Sequence, residues 1–173
     1  HWAAWGNLPK IALLLLNENA DVNVQAKDGQ TPLLLSVSKG SAKGANVCLG
    51  NEADINRTQD GNLEIVKLLL ERRANIHQRN RDGWTALHLA ARNGSVEITK
   101  ALLKSHAEVN DPVTSTGETP LLIAVDKRNL EIVKLLIEHR ADVYQKNKEG
   151  LTALDLADRN GSTDFINSIL SKD

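Results

Sequence analysis

The side chains best suited to chemistry in this chain are five histidines and one cysteine, Cys48. No Cys/His spacing of the kind that holds zinc is present. Gly-rich phosphate loops are absent too. His77, His88, His106 and His139 recur at positions that belong to a repeating pattern, and His88 is read as bonding to the backbone and to Thr85. Cys48 is read as a spare thiol. Three Asn-x-Ser/Thr sequons occur, at Asn56, Asn93 and Asn160, and the last two arise from Asn-Gly turns of the repeat itself. The chain is therefore read as non-enzymatic, with no catalytic residue, no metal, no cofactor and no small-molecule substrate.

The 173 residues are 41% hydrophobic, enough for a sizeable core, but only 3% aromatic, so that core must be aliphatic. A formal net charge of -1 argues against global attraction to nucleic acid or to an anionic membrane. One cysteine allows no internal disulfide and fits a reducing compartment. No apolar run approaches the roughly 20 residues of a membrane span. These features are read as placing the chain inside a cell, in cytoplasm or nucleus, and are compatible with a bacterial effector delivered into a host cell.

The pattern itself is a repeat. Asp82-Gly83-Trp84-Thr85-Ala86-Leu87-His88 is echoed by Asp28-Gly29-Gln30-Thr31-Pro32-Leu33, by Thr116-Gly117-Glu118-Thr119-Pro120-Leu121 and by Glu149-Gly150-Leu151-Thr152-Ala153-Leu154. A period of about 33 residues marks a stack of supersecondary units, none able to bury its apolar face alone. In each unit the glycine permits a tight turn. The threonine stands at an N-cap, and Pro32 and Pro120 follow at the first helical position, where a missing N–H is harmless. After a turn at Gly40, Gly94 or Gly161, an outer helix presents Ile65 and Leu69, Ile98 and Leu102, or Ile132 and Leu136 on one face. Glu64, Lys67, Glu131 and Lys134 fall on its solvent side. His1-Trp2-Ala3-Ala4 matches His88-Leu89-Ala90-Ala91, so the chain is read as part of a larger protein.

These residues resemble the ankyrin repeat family: Asp-Gly-x-Thr-Pro-Leu-His-x-Ala-Ala, then Gly, then Glu-Ile-Val-Lys-Leu-Leu-Leu, then Ala-Asp-Val-Asn. The resemblance covers most of the chain. It implies an all-α solenoid of about five stacked repeats, each a pair of antiparallel helices with a projecting hairpin loop. It also implies a concave face of hairpins and inner helices that binds another protein or peptide. There are departures. Where the family has a glycine before Ala-Asp, this chain has Asn19, Arg73, His106 and Arg140. Arg and His in a left-handed conformation should cost on the order of 1 kcal/mol each. The family histidine becomes Leu34, Leu122 and Asp155, and Asp155 can form a capping box with Thr152. Asn167 and Ser168 replace aliphatic residues in the last outer helix, which suits a solvent-facing cap and a true end of the stack.

The register breaks once. Asp28 to Asp82 is longer than one repeat and shorter than two. In one parse, Asp60-Gly61 opens a repeat that has lost its inner helix. In the other, the inner helix ending near Gly40 pairs with an outer helix starting at Asn62, and residues 41–61 are an insertion. The second leaves no apolar flank uncovered. The chain then divides into a truncated first repeat at 1–27, an irregular one at 28–81, repeats at 82–115 and 116–148, and a C-terminal capping repeat at 149–173.

Carried over residue by residue, the family's variable positions give a candidate partner surface. It comprises Lys27, Gln30, Arg81, Trp84, Glu118 and Leu151 at the turns. At the inner-helix ends it comprises Lys39, Arg92, Asn93, Lys127, Arg128 and Arg159. Trp and Arg are the types most enriched in binding hot spots. Lys39, Arg92, Lys127, Arg128 and Arg159 would line one edge and favour a partner with an acidic segment. Asn23 and Asn110 resemble the family's asparaginyl hydroxylation sites. The leading functional reading is a protein-interaction module. An alternative is the substrate-recruiting part of a larger enzyme such as a ubiquitin ligase or kinase, and a third is nucleic-acid binding through the basic edge.

Overall fold

The computed structural model describes residues 1–38 and 57–164, with side chains from Asn62 onward in the second segment. Lys39, Cys48, Asn167 and Ser168 lie outside the described residues, as does the expected insertion between Ser41 and Asn56. Among the described residues the structure is all-α, with no strand. Helices α1 (Trp2–Trp5), α3 (Pro32–Ser38), α5 (Ala86–Asn93), α7 (Pro120–Asp126) and α9 (Ala153–Asn160) pack side by side as an inner row. Helices α2 (Pro9–Asn17), α4 (Arg57–Glu71), α6 (Val96–Lys104) and α8 (Leu130–Glu138) form the outer row, and α1, α3, α5 and α7 each pack on the outer helix that follows them.

Several of these short helices begin or end on an explicit signal. Thr31 and Thr119 hydroxyls accept the N–H groups of Leu34 and Leu122, both at 3.3 Å. Thr152 and Asp155 close the expected capping box, with the Thr152 N–H donating to the Asp155 carboxylate at 2.8 Å. Those bonds hold the Asp155 carboxyl below its ordinary pKa, the Thr152 hydroxyl contributing most. At the other end, Asn19, Arg73, His106 and Arg140 all have positive φ, between 60° and 65°. All four residues that stand where the family has glycine are thus in the left-handed conformation that glycine favours.

Between the rows lies the aliphatic core. Leu33, Leu87 and Leu121 from the inner helices are each 1% exposed, and Ile65, Leu102, Ile132 and Leu136 from the outer helices are 0% exposed. Ala90, Ala91 and Ala124 are fully covered, which lets inner helices approach closely. Glu64, Lys67, Glu131 and Lys134 face solvent as expected. In the first unit, by contrast, Trp2, Leu8, Ile11, Leu14 and Leu15 are exposed, beside an apolar hollow of about 210 Å³ that Ala3, Ala12, Leu16, Val22 and Leu69 help line.

Two local differences from the sequence reading have physical causes. Helix α4 includes Arg57–Gly61, so the outer helix extends further toward the N-terminus than Asn62, and Asp60-Gly61 is helical rather than a turn. A single glycine costs about 1 kcal/mol inside a helix, which neighbouring turns can offset. Arg128, expected as part of the basic partner-binding edge, has φ 56° and occupies the register position that Gly94 holds with φ 73°. A Cβ on Gly94 would come within 3.0 Å of Asn129 Oδ1.

Arg128→Gly should therefore raise stability by up to about 1 kcal/mol, whereas Leu121→Ala should lower it by about 2–5 kcal/mol. Urea denaturation of both variants checks the pair.

Candidate functional site

His88 is the best-connected polar side chain of the inner row. It is fully buried on α5. The Thr85 N–H donates to its Nδ1 at 3.2 Å, and the Thr85 hydroxyl lies 2.7 Å from the same atom. Nδ1 is thus an acceptor, so Nε2 carries the proton and donates to the Asp111 carbonyl at 2.8 Å. Burial pushes the His88 pKa down from 6.5 to about 4, against a smaller upward pull from the Asp111 carbonyl. A neutral imidazole with both nitrogens engaged binds no metal and moves no proton. Its task is to tie an inner helix to the next hairpin.

Arg79, which the sequence reading passed over, completes that tie. Its guanidinium donates to the carbonyls of Gly83 at 2.7 Å and Pro112 at 3.0 Å, and pairs with the Asp111 carboxylate. The only signal in sequence was the basic residue shared by Gln78-Arg79-Asn80 and Gln145-Lys146-Asn147. Asn80 and Asn147 accept the N–H groups of Trp84 and Leu151, each at 2.9 Å, and so fix the turn residue that follows each glycine.

On this frame Trp84 is half-buried. It meets the His88 ring edge-on with centroids 6.0 Å apart. The Arg92 guanidinium lies 5.5 Å from the centroid of the indole. His88 and Arg92 stand four residues apart on α5, and Trp84 lies in the turn just before the N-cap Thr85, from which its indole reaches both. The structure thus brings together the two candidate residues of highest hot-spot propensity.

The other candidates are more dispersed. Lys27, Arg81, Lys127, Arg128 and Arg159 are exposed, and Gln30, Glu118 and Leu151 are half-buried. Leu151 packs on the core, and the Glu118 carboxylate accepts the Thr116 hydroxyl at 2.9 Å. The Gln30 carbonyl accepts from His1 Nε2 at 3.1 Å. The Arg81 N–H reaches the Asp28 carbonyl at 3.3 Å, joining successive turns. Of the basic edge, Lys127 pairs with Asp126 at 2.9 Å.

Asn93 has a structural role. Its amide donates to the carbonyls of Val37 at 2.9 Å and Ser38 at 3.4 Å, at the end of α3. Asn129 does the same for Ala91, and Asn160 for Val125, both at 2.7 Å. These amides satisfy carbonyls that a helix end leaves without a partner. The sequons at Asn93 and Asn160 thus carry asparagines already bound within the stack. Asn23 and Asn110 lie exposed on the hairpins, where each accepts an N–H from the next hairpin, from Asn75 at 2.6 Å and Asp142 at 2.8 Å.

Known proteins share this organisation. A model of ankyrin repeats in three copies matches residues 56–147 and 109–173, and a single ankyrin repeat matches residues 1–27. The chain is 43% identical over 95 residues to the ankyrin repeat and KH domain-containing protein mask of Drosophila melanogaster, covering 54% of this chain and 2% of that protein. It is 37% identical over 146 residues to neurogenic locus notch homolog protein 1 of Danio rerio, covering 83% of this chain and 6% of that protein. Poly [ADP-ribose] polymerase tankyrase of Caenorhabditis elegans is 32% identical over 155 residues, covering 88% of this chain and 7% of that protein. The chain thus spans only a small part of each of these relatives.

The chain belongs to the ankyrin repeat family. Ankyrin repeats are typically non-catalytic modules that bind other proteins. No helix among the described residues is long and apolar enough to cross a membrane.

Two measurements check this frame. The unfolded chain protonates His88 near pH 6.5, while the folded chain resists until about pH 4. Between those values the unfolded state binds more protons, so stability is full above pH 6.5 and falls as pH falls. The loss attributable to His88 approaches about 3 kcal/mol at pH 4. Urea denaturation across that range should show a shallower slope in His88→Asn than in wild type. Asn129→Ala, which leaves the end of α5 uncapped, should lower stability by about 1–2 kcal/mol in the same assay at pH 7.

Proposed function

We propose that this chain captures a partner protein or peptide on the face of hairpins and inner helices, with Trp84 and Arg92 at its centre. The observation that carries this reading is the contact between the Arg92 guanidinium and the Trp84 indole. Both occupy positions where the repeat pattern leaves the residue type free. A rigid stack offers a preformed surface, so little ordering entropy is lost on binding. Arg81, Gln30, Glu118 and Leu151 extend the surface along the turns, and Lys27, Lys127, Arg128 and Arg159 surround it with positive charge. That surround favours a partner with an acidic segment, chiefly through faster encounter. Asn23 and Asn110 remain candidate hydroxylation sites on the flanking hairpins. We place the module in cytoplasm or nucleus, and divide it into units at 1–27, 28–81, 82–115, 116–148 and 149–173.

A second reading is recruitment of substrate to an enzyme elsewhere in a longer chain. The relative bearing the name poly [ADP-ribose] polymerase, of which this chain spans 7%, favours it. Both readings use the same surface.

Arg92→Glu reverses one exposed charge and should weaken capture about tenfold or more while changing stability by less than about 0.5 kcal/mol. Pull-down with wild type against Arg92→Glu, read by quantitative mass spectrometry, measures this. An identical set of captured proteins at identical yield would overturn the assignment.

A further inference from the structure

The outer-helix ends carry a second surface, separate from the Trp84 face. Arg73, His106 and Arg140 follow α4, α6 and α8 at one shared register position. All three are exposed, and all three hold the left-handed conformation, with φ of 60°, 64° and 65°. Glycine is the strain-free choice there, yet these three successive units carry Arg, His and Arg instead. None of the three enters an ion pair among the described residues.

Helix-dipole stabilisation does not account for His106 or Arg140. A cation within the last turn serves the dipole at ordinary backbone angles. Lys104 already stands in the last turn of α6, and the His139 ring lies 2.8 Å from the Leu135 carbonyl at the end of α8. Among the described residues no neighbouring acid pairs with the row. The Asp142 carboxylate accepts the Tyr144 N–H at 2.9 Å, and Glu138 pairs with Lys134 at 3.8 Å. Asp142, Glu71 and Glu108 are exposed nearby and limit the net charge.

Packing sets the spacing. Outer helices α4, α6 and α8 lie side by side, and packed helices are about 8–10 Å apart. The row therefore repeats at close to the same interval. An extended polyproline-type chain advances about 3.1 Å per residue with three residues per turn. Acidic side chains at every third position of such a chain fall on one side, about 9 Å apart. We propose that Arg73, His106 and Arg140 form a basic ridge that docks an extended acidic segment of a partner protein with one carboxylate per repeat.

The test uses the whole chain and a fluorescein-labelled peptide of four Glu-Pro-Pro repeats. The comparison variant combines Arg73→Gly, His106→Gly and Arg140→Gly, which removes the side chains while suiting the backbone. Fluorescence anisotropy at low salt should show binding by wild type and by Arg92→Glu, and affinity lower by about tenfold in the triple variant. The triple variant should melt no lower than wild type, which separates lost docking from lost folding. A peptide with four adjacent glutamates among the same eight prolines should bind more weakly. The ridge is overturned if the triple variant binds as wild type does, or if the adjacent-glutamate peptide binds equally well. It is likewise overturned if neither peptide binds, or if phosphatidylserine vesicles capture the protein in preference to the spaced peptide. Arg92→Glu tests the Trp84 face alone, so failure of one surface leaves the other standing.

Discussion

A helix of eight residues has no stability of its own in water, since isolated helices need about 12–15 residues even to be marginal. Helix α5 has that length, yet Leu87, His88, Ala90 and Ala91 on it are almost completely covered. The cover comes from α3 on one side, α7 on the other and α6 behind. Every other feature follows from this dependence of each unit on its neighbours. Stability is then close to a sum of unit and interface terms, as in other solenoids.

Neighbour dependence explains where the polar bonds go. Thr85, His88, Asp111 and Arg79 join an inner helix to the following hairpin. Asn23 and Asn110 join hairpin to hairpin, and Asn93, Asn129 and Asn160 join each unit to the inner helix before it. Core residues and crossbridging amides together leave few positions free of structural duty. Arg92 is one of these positions; it is exposed and lies against Trp84, which is itself half-buried and packed on the core.

The sequence made legible much of what is local. The Thr caps, the Thr152–Asp155 box, the left-handed residues at Asn19, Arg73, His106 and Arg140, and the buried faces of α6 and α8 all follow from spacing within one unit. Much of what it concealed joins one unit to the next. Asn93 reads as a free variable residue until Val37 and Ser38 are placed beside it. Arg79 reads as a hairpin charge until Asp111 and Pro112 arrive. The contact of Arg92 with Trp84 needs side-chain reach from the end of α5 back to the turn that precedes it, which a list of variable positions does not express. The left-handed Arg128 was hidden by an irregular turn, because no glycine marks it.

The asparagine bridges also give the stack a direction in time. Those of Asn93, Asn129 and Asn160 run backward along the chain, from a residue made later to the carbonyls of a helix made earlier. During synthesis at about 5–20 residues per second, an inner helix such as α5 must wait several seconds before Asn129 emerges to close its end. The newest unit on a growing chain is therefore always the least finished one. A translational pause placed just after an inner helix would prolong that state, and one placed after the next asparagine would not.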